Sequence, residues 1–174
     1  GMSSHDVIGA VRRVLHMKRV GHAGTLDPAA AGVLPIAVGQ AARLIEYLEL
    51  ADKTYRAELT FGFATDSGDD TGEITEEVAD FAMPSQQAVE HALLGFTGKI
   101  RQTPPAHSAI KIGGKRACDL LREGKDVEIP SREVTIHALD LVAYHPEEKK
   151  ILLDVQCSKG TYIRSLCLDI GAAL

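Results

Sequence analysis

Cysteine is scarce. Cys118, Cys157 and Cys167 are an odd number with no CxxC spacing, which leaves no basis for a disulfide framework or a zinc knuckle. Buried thiols are the expected account, with a catalytic thiol the lesser reading. No apolar run approaches membrane-spanning length and no basic-then-apolar leader precedes the first helical pattern, so no membrane partner and a cytoplasmic location are expected. A P-loop, a Rossmann fingerprint, repeats, low-complexity tracts and linkers are likewise missing. Positive charge is not in excess either: the net charge of −5, taken alone, argues mildly against a nucleic-acid partner. Its distribution qualifies that. Acids gather from Asp66 to Asp80 and around Glu147, while cations cluster at Arg12, Arg13, Lys18 and Arg19 and again at Lys99, Arg101, Lys111, Lys115 and Arg116. A local basic surface of this kind can hold phosphates, although solvated faces give the same counts.

What remains is an ordinary globular composition, 45% hydrophobic and 25% charged over 174 residues. That length suits one domain with its own core, or two small lobes sharing one sheet. Ser3-Ser4-His5-Asp6, followed by Val7, Ala10, Val11, Val14 and Leu15, predicts an N-capped amphipathic helix. Gly32 to Pro35 reads as a short buried link, and Gln40 to Leu50 as a helix with Leu44, Ile45 and Leu48 inward. Lys53 to Phe63 alternates as a strand, with Tyr55 on the core face. Thr65 to Glu73 is a polar acidic turn that lacks the bidentate acid of a calcium loop. A helix is expected from Pro84 to Leu94 and a strand from Phe96 to Gln102; a short helix over Ala117 to Glu123 follows. Strands are expected over Val127 to Ile129, Val134 to Tyr144 and Lys150 to Cys157, then a final helix over Thr161 to Leu174. The pattern implies an α+β fold with a mixed, mainly antiparallel sheet and flanking helices. Residues 1–174 are expected to be a single domain, cut from a longer protein at both ends.

Three side chains invite a joint reading. Asp27, in Gly21-His22-Ala23-Gly24-Thr25-Leu26-Asp27-Pro28, lies between a glycine-punctuated turn and a proline that biases it to extended backbone. It is either a placed carboxylate or a turn opener. Tyr55 begins the long strand, where a satisfied core tyrosine is the simpler account. Arg164 falls in the first turn of the last helix, where the macrodipole slightly disfavours a cation and a specific partner would explain it. A carboxylate, an aromatic ring and an arginine suit covalent or acid–base chemistry on a planar neutral substrate. Nucleobases fit, and so do sugars, for which Asp66, Asp69 or Asp70 could supply a second carboxylate.

The GHAGTLDP octapeptide, with Gly32-Val33-Leu34-Pro35 and Gly39-Gln40-Ala41-Ala42-Arg43-Leu44 behind it, resembles the central motif of the TruB-type tRNA pseudouridine synthases. Lys53-Thr54-Tyr55, Pro104-Pro105 with Ser108 to Lys111, and Cys157 to Arg164 resemble later motifs of that family, in the same order. The resemblance implies isomerisation of uridine-55 in the T-loop of tRNA to pseudouridine. By position, Asp27 would be the catalytic carboxylate and Arg164 its partner. Tyr55 would stack on the target base and could take its C5 proton. His22, Leu26, Arg43, Lys159 and Tyr162 would bind substrate: His22 helping to hold the everted nucleotide, Tyr162 lining the pocket, Arg43 and Lys159 meeting phosphates. Attack on uracil C6, attack on ribose C1′ and abstraction of the 2′ proton all remain open. The target base must leave its stack, at about a few kcal/mol, less for a loop nucleotide than a paired one. The reaction is redox-neutral and hydrolyses nothing, so no cofactor or metal is required.

His107, Cys118 and Ala31 stand where tyrosine, tyrosine and threonine are frequent among such relatives, which bears on pocket detail rather than on the reaction. The guide-RNA-dependent relatives share the GTLDP and GTYIR blocks, but Ser108 to Gly124 resembles the bacterial standalone type. From another class, a non-catalytic tRNA-folding module would use Asp27 structurally. The T-loop and T-stem of tRNA are the expected partner, and a monomer the expected state.

Overall fold

The computed structural model describes residues 2–27, 29–108, 110–124 and 128–174, in two compact units, Gly1–Ala51 and Asp52–Leu174. In the first unit helix α1 (Ser4–Leu15) starts at a capping box: Ser3 Oγ accepts from Asp6 N–H at 3.2 Å and the Asp6 carboxylate accepts from Ser3 N–H at 2.9 Å. His16, at φ 51°, closes it. Of the expected stripe, Val7, Ala10 and Val11 are half-buried while Val14 and Leu15 face solvent, and the buried apolar residue is Ile8, outside that stripe. A short antiparallel hairpin follows, β1 (Val20–His22) with β2 (Ile36–Val38), in the register Val20↔Val38 to His22↔Ile36. The expected second helix begins as a 3-10 segment, Gly39–Leu44, and only Ile45–Glu49 is α-helical (α2). The tighter 3-10 winding turns the apolar residues out of phase with a 3.6-residue stripe. Leu44 and Leu48 are accordingly exposed, whereas Ile45 is half-buried against Gly21. The link before β2 is not buried either, since Val33 is 90% exposed.

The second unit runs β3 (Lys53–Thr60), β4 (Phe63–Thr65), β5 (Ile74–Glu77), α3 (Gln86–Leu94), β6 (Gly98–Gln102), β7 (Lys111–Ile112), β8 (Lys115–Arg116), α4 (Ala117–Arg122), β9 (Arg132–His145), β10 (Lys150–Cys157) and α5 (Ile163–Ala173). Four strands make one sheet in the order β3-β10-β9-β6, and every ladder among the described residues is antiparallel. The fold is α+β, as expected. The expected Lys53 to Phe63 strand divides at Gly62, whose φ of +99° turns the chain out of the ladder. The expected Val127 to Ile129 strand begins outside the described residues, and 128–129 are irregular.

Alternation along β10 puts Ile151, Leu153, Val155 and Cys157 on one face, all fully buried. Helices α3 and α5 supply Val89, Leu93, Leu166 and Ile170 to the same core. The opposite face is polar. There Arg56 forks onto Asp154 with bonds of 2.8 and 2.7 Å, and Lys150 meets Glu58 at 2.9 Å.

Candidate active site

Asp27 stands in the loop between β1 and β2. The ladder ends at His22↔Ile36, and Ala23 N–H donates to the Pro35 carbonyl at 3.0 Å, so the base of the loop is closed. Its crest is pinned from α1. Buried Ser4 accepts from Leu26 N–H at 3.0 Å through Oγ, and the same hydroxyl lies 3.4 Å from the Leu26 carbonyl. Asp27 comes next, half-buried, and its carbonyl accepts from Ala30 N–H at 2.9 Å. Turn opener and placed carboxylate are thus compatible readings: the turn sets the direction in which the side chain leaves the loop. His22 lies at the end of β1 with Nδ1 buried and no hydrogen-bond partner for it among the described residues. Arg43 is exposed on the 3-10 segment.

The other expected residues belong to the second unit, and the sheet gathers them at one end. Lys53 is opposite Cys157 and Tyr55 opposite Val155, so the beginning of β3 lies beside the end of β10. From there the chain turns through Ser158 to Thr161 into α5. Ser158 N–H donates to the Thr135 carbonyl at 2.8 Å, Thr135 N–H donates to Ser158 Oγ at 2.9 Å, and Thr161 Oγ1 donates to the Ser158 carbonyl at 2.9 Å. Lys159 is exposed in that turn. Tyr162 is half-buried at the N-cap, and Arg164 lies in the first helical turn. Tyr55 is half-buried and packs against the core, so it has one side in the interior and the rest accessible.

Arg164 has partners that its position in the chain did not suggest. Its Nη1 donates to the Ser67 carbonyl at 2.6 Å and its Nη2 to the His107 carbonyl at 3.0 Å. Asp69 Oδ2 lies 3.9 Å from Nη1, with 13% of the arginine side chain and 23% of the aspartate side chain exposed. Within the acidic turn Ser67 is buried and Asp69 half-buried, while Asp66, Asp70 and Glu73 stay exposed. Asp69 Oδ1 accepts from Ser67 Oγ at 2.7 Å, Thr71 Oγ1 at 2.6 Å and Thr71 N–H at 3.1 Å, and Asp66 Oδ1 accepts from Glu73 N–H at 2.9 Å. Burial opposes the charge on Asp69, but the bonds from Thr71 and Ser67, with Arg164 nearby, outweigh it and hold the carboxyl below its usual range. Sequence reasoning missed Asp69 as a neighbour of Arg164. The available signal was the density of Asp, Ser and Thr from Thr65 to Thr71, which marks a self-bonded turn. Burial raises Cys157 and pushes Cys167 up to about 12, which disfavours a thiolate at either position.

Comparison with known proteins bears on the fold and the family. A chain of the crystal structure of a Cbf5-Nop10-Gar1 complex superposes with a TM-score of 0.72 at 29% identity, covering 100% of this chain and 41% of that one. The structure of an H/ACA RNP bound to a substrate RNA containing 2′-deoxyuridine matches at 0.70 and 24%, a likeness of fold. The α+β fold is thus one shared with a chain in each of these two structures. The family model described as TruB family pseudouridylate synthase (N terminal domain) matches residues 12–163, and the chain belongs to that family. The tRNA pseudouridine synthase B of Symbiobacterium thermophilum is 51% identical, covering 100% of this chain and 58% of that protein; the same-named protein of Heliobacterium mobile is 52% identical, covering 100% and 56%. The chain therefore spans somewhat over half the length of these relatives.

Proposed function

We propose that this chain carries the catalytic part of a tRNA pseudouridine synthase, acting on uridine-55 of the T-loop with Asp27 as the reacting carboxylate. The observation that carries the reading is the loop Gly21 to Asp27. It lies inside the family match, it is pinned by Ser4, and its carboxylate is the only Asp or Glu between Asp6 and Glu46. The reaction breaks the bond from N1 to C1′, forms one from C5 to C1′, and transfers the C5 proton to N1 in net balance. Attack of Asp27 on C6 or on C1′, or removal of the 2′ proton, would each begin it, and each uses an ionised carboxylate.

On this reading both units serve one reaction and residues 1–174 act as a single catalytic domain. Tyr55 stacks on the extruded base and stands near its C5 proton. Arg164 partners the reacting carboxylate. Tyr162, His22 and Leu26 hold the flipped nucleotide, with Arg43 and Lys159 on phosphates. No metal or cofactor is assigned. The partner is tRNA, the state a monomer and the setting the cytoplasm, where the substrate is found. Identities of 51 and 52% to bacterial synthases, against 29% to a chain of the Cbf5-Nop10-Gar1 complex, favour the standalone type over a guide-dependent one.

The test is release of label from C5-tritiated uridine in tRNA. Asp27→Asn should lower turnover by on the order of a thousandfold or more while leaving tRNA affinity within about twofold. A parent chain that binds tRNA without forming product would make the protein a folding module, and liberated uracil would make it a glycosidase.

A further inference from the structure

Gln102 and Arg132 are the last register pair of the ladder between β6 and β9. Residues directly opposite each other in an antiparallel pair share a face, and both of these side chains run to the same short segment, Gly160 to Tyr162. Gln102 is only 1% exposed, an uncommon burial for an amide. Its two ends are both used on one residue: Oε1 accepts from Tyr162 N–H at 2.8 Å and Nε2 donates to the Tyr162 carbonyl at 3.0 Å. The amide thus does for Tyr162 what a neighbouring strand would do, after β10 has ended and before α5 has begun. Arg132 grips the same segment from the side. Its Nη2 donates to the Gly160 carbonyl and its guanidinium lies 5.1 Å from the centre of the Tyr162 ring. Gly160 is at φ +80°, and a Cβ there would come within 3.2 Å of Arg132 Nη2, so the close approach uses the absence of a side chain.

Tyr162 is the N-cap of α5, has no side-chain capping bond of its own, and precedes Arg164 by two residues. Whatever holds Tyr162 therefore sets both its ring and the helical turn that presents the guanidinium. Ser165 Oγ adds a bond of 2.7 Å to the Thr103 carbonyl, next to Gln102. We propose that Gln102 and Arg132 are positioning residues for the pseudouridylate synthase reaction: Gln102 clamps the Tyr162 backbone, Arg132 seats the Tyr162 ring, and together they fix the start of α5. This rests on the role given to Tyr162 and Arg164 above. A polar clamp at that point has a physical reason, because an apolar residue at 102 would leave the N–H and one carbonyl lone pair of Tyr162 unmatched in a buried setting.

Gln102→Glu separates positioning from bulk stability. The protonated glutamate reproduces both bonds, its carbonyl accepting from Tyr162 N–H and its hydroxyl donating to the Tyr162 carbonyl, and burial favours that form. The carboxylate can accept but cannot donate. Arg132, opposite position 102 on β9, and Arg164, two residues after Tyr162 in α5, are common to parent and variant, so a pH response peculiar to the variant reports the glutamate. Relative to parent, kcat of Gln102→Glu should be near normal in acid and fall about tenfold or more as pH rises, with KM for tRNA within about twofold, since misplacement by about 1 Å costs up to a hundredfold. Exchange of the Tyr162 amide hydrogen should quicken over the same range. Gln102→Asn, too short to reach both groups, should show the loss at every pH, and covers the case in which Gln102→Glu does not fold. Arg132→Lys should lower kcat without raising KM; raised KM at unchanged kcat would make Arg132 a phosphate contact and overturn its half of the proposal. Parent-like kcat at every pH in folded Gln102→Glu, or an unchanged Tyr162 amide, would overturn the clamp. Because amide exchange needs no turnover, an inactive parent chain would count against the proposed function separately from the clamp.

Discussion

Asp69 shows how much a single carboxylate can carry once its neighbours are known. Three donors converge on Oδ1 and Arg164 approaches Oδ2, which keeps its pKa below the ordinary carboxylate value of about 3.9. A group whose folded pKa is depressed contributes stability that is present above the unfolded pKa and lost as pH falls through the folded one. Asp69→Asn should therefore be less stable than parent at neutral pH, by about 1–3 kcal/mol. That difference should shrink as pH falls below about 4. Urea unfolding of both proteins at pH 7 and at pH 3 checks the sign; a difference that grows in acid would refute it. At this scale the motif residues were legible, because short blocks around Asp27, Tyr55 and Arg164 are local. The neighbours of Arg164 were not. Ser67 and His107 offer carbonyls, which every residue has, so no letter in the sequence marks them.

Among the elements, α1 does more than fill space. Its first turn is defined by the Ser3 and Asp6 capping box, readable in advance, while its next residue, Ser4, reaches 22 positions down the chain to Leu26. Ser4→Ala removes the bond that ties the helix to Leu26 at the crest of the Asp27 loop. It should cost about 1 kcal/mol of stability, quicken exchange of the Leu26 amide, and lower turnover by more than the lost folded population explains. Thermal unfolding, amide exchange and the tritium assay on one preparation measure all three. Element types were read well where a long period dominates, as in β3, β10 and α5. Boundaries failed where one residue breaks the period. Gly62 ends β3, and the 3-10 winding before Ile45 turns Leu44 and Leu48 outward, because periodicity carries no information on pitch.

For the molecule as a whole, the core of the second unit is the four-stranded sheet under α3 and α5. Ile136, on β9 and without measurable exposure, lies against β10 at Cys157 and β6 at Gly98. Ile136→Ala should destabilise by about 2–5 kcal/mol, read as a drop in the urea midpoint with little change in slope. Charge is also distributed at this scale. Residues 1–51 hold five Lys and Arg against four Asp and Glu, while residues 52–174 hold fourteen against twenty. The overall negative charge is an average over two dissimilar units, which removes its weight as an argument against an RNA partner.

The sequence alone determined the elements with a sustained period, the α+β class, and the separated motif blocks that mark the family, since each depends on residues a few positions apart. Only the tertiary structure decided that Gln102 meets Tyr162 60 residues on and that Arg164 meets Ser67 97 residues back. Those meetings follow from which strand β10 pairs with on either side, and strand pairing is set by the burial of the whole sheet rather than by any stretch of chain.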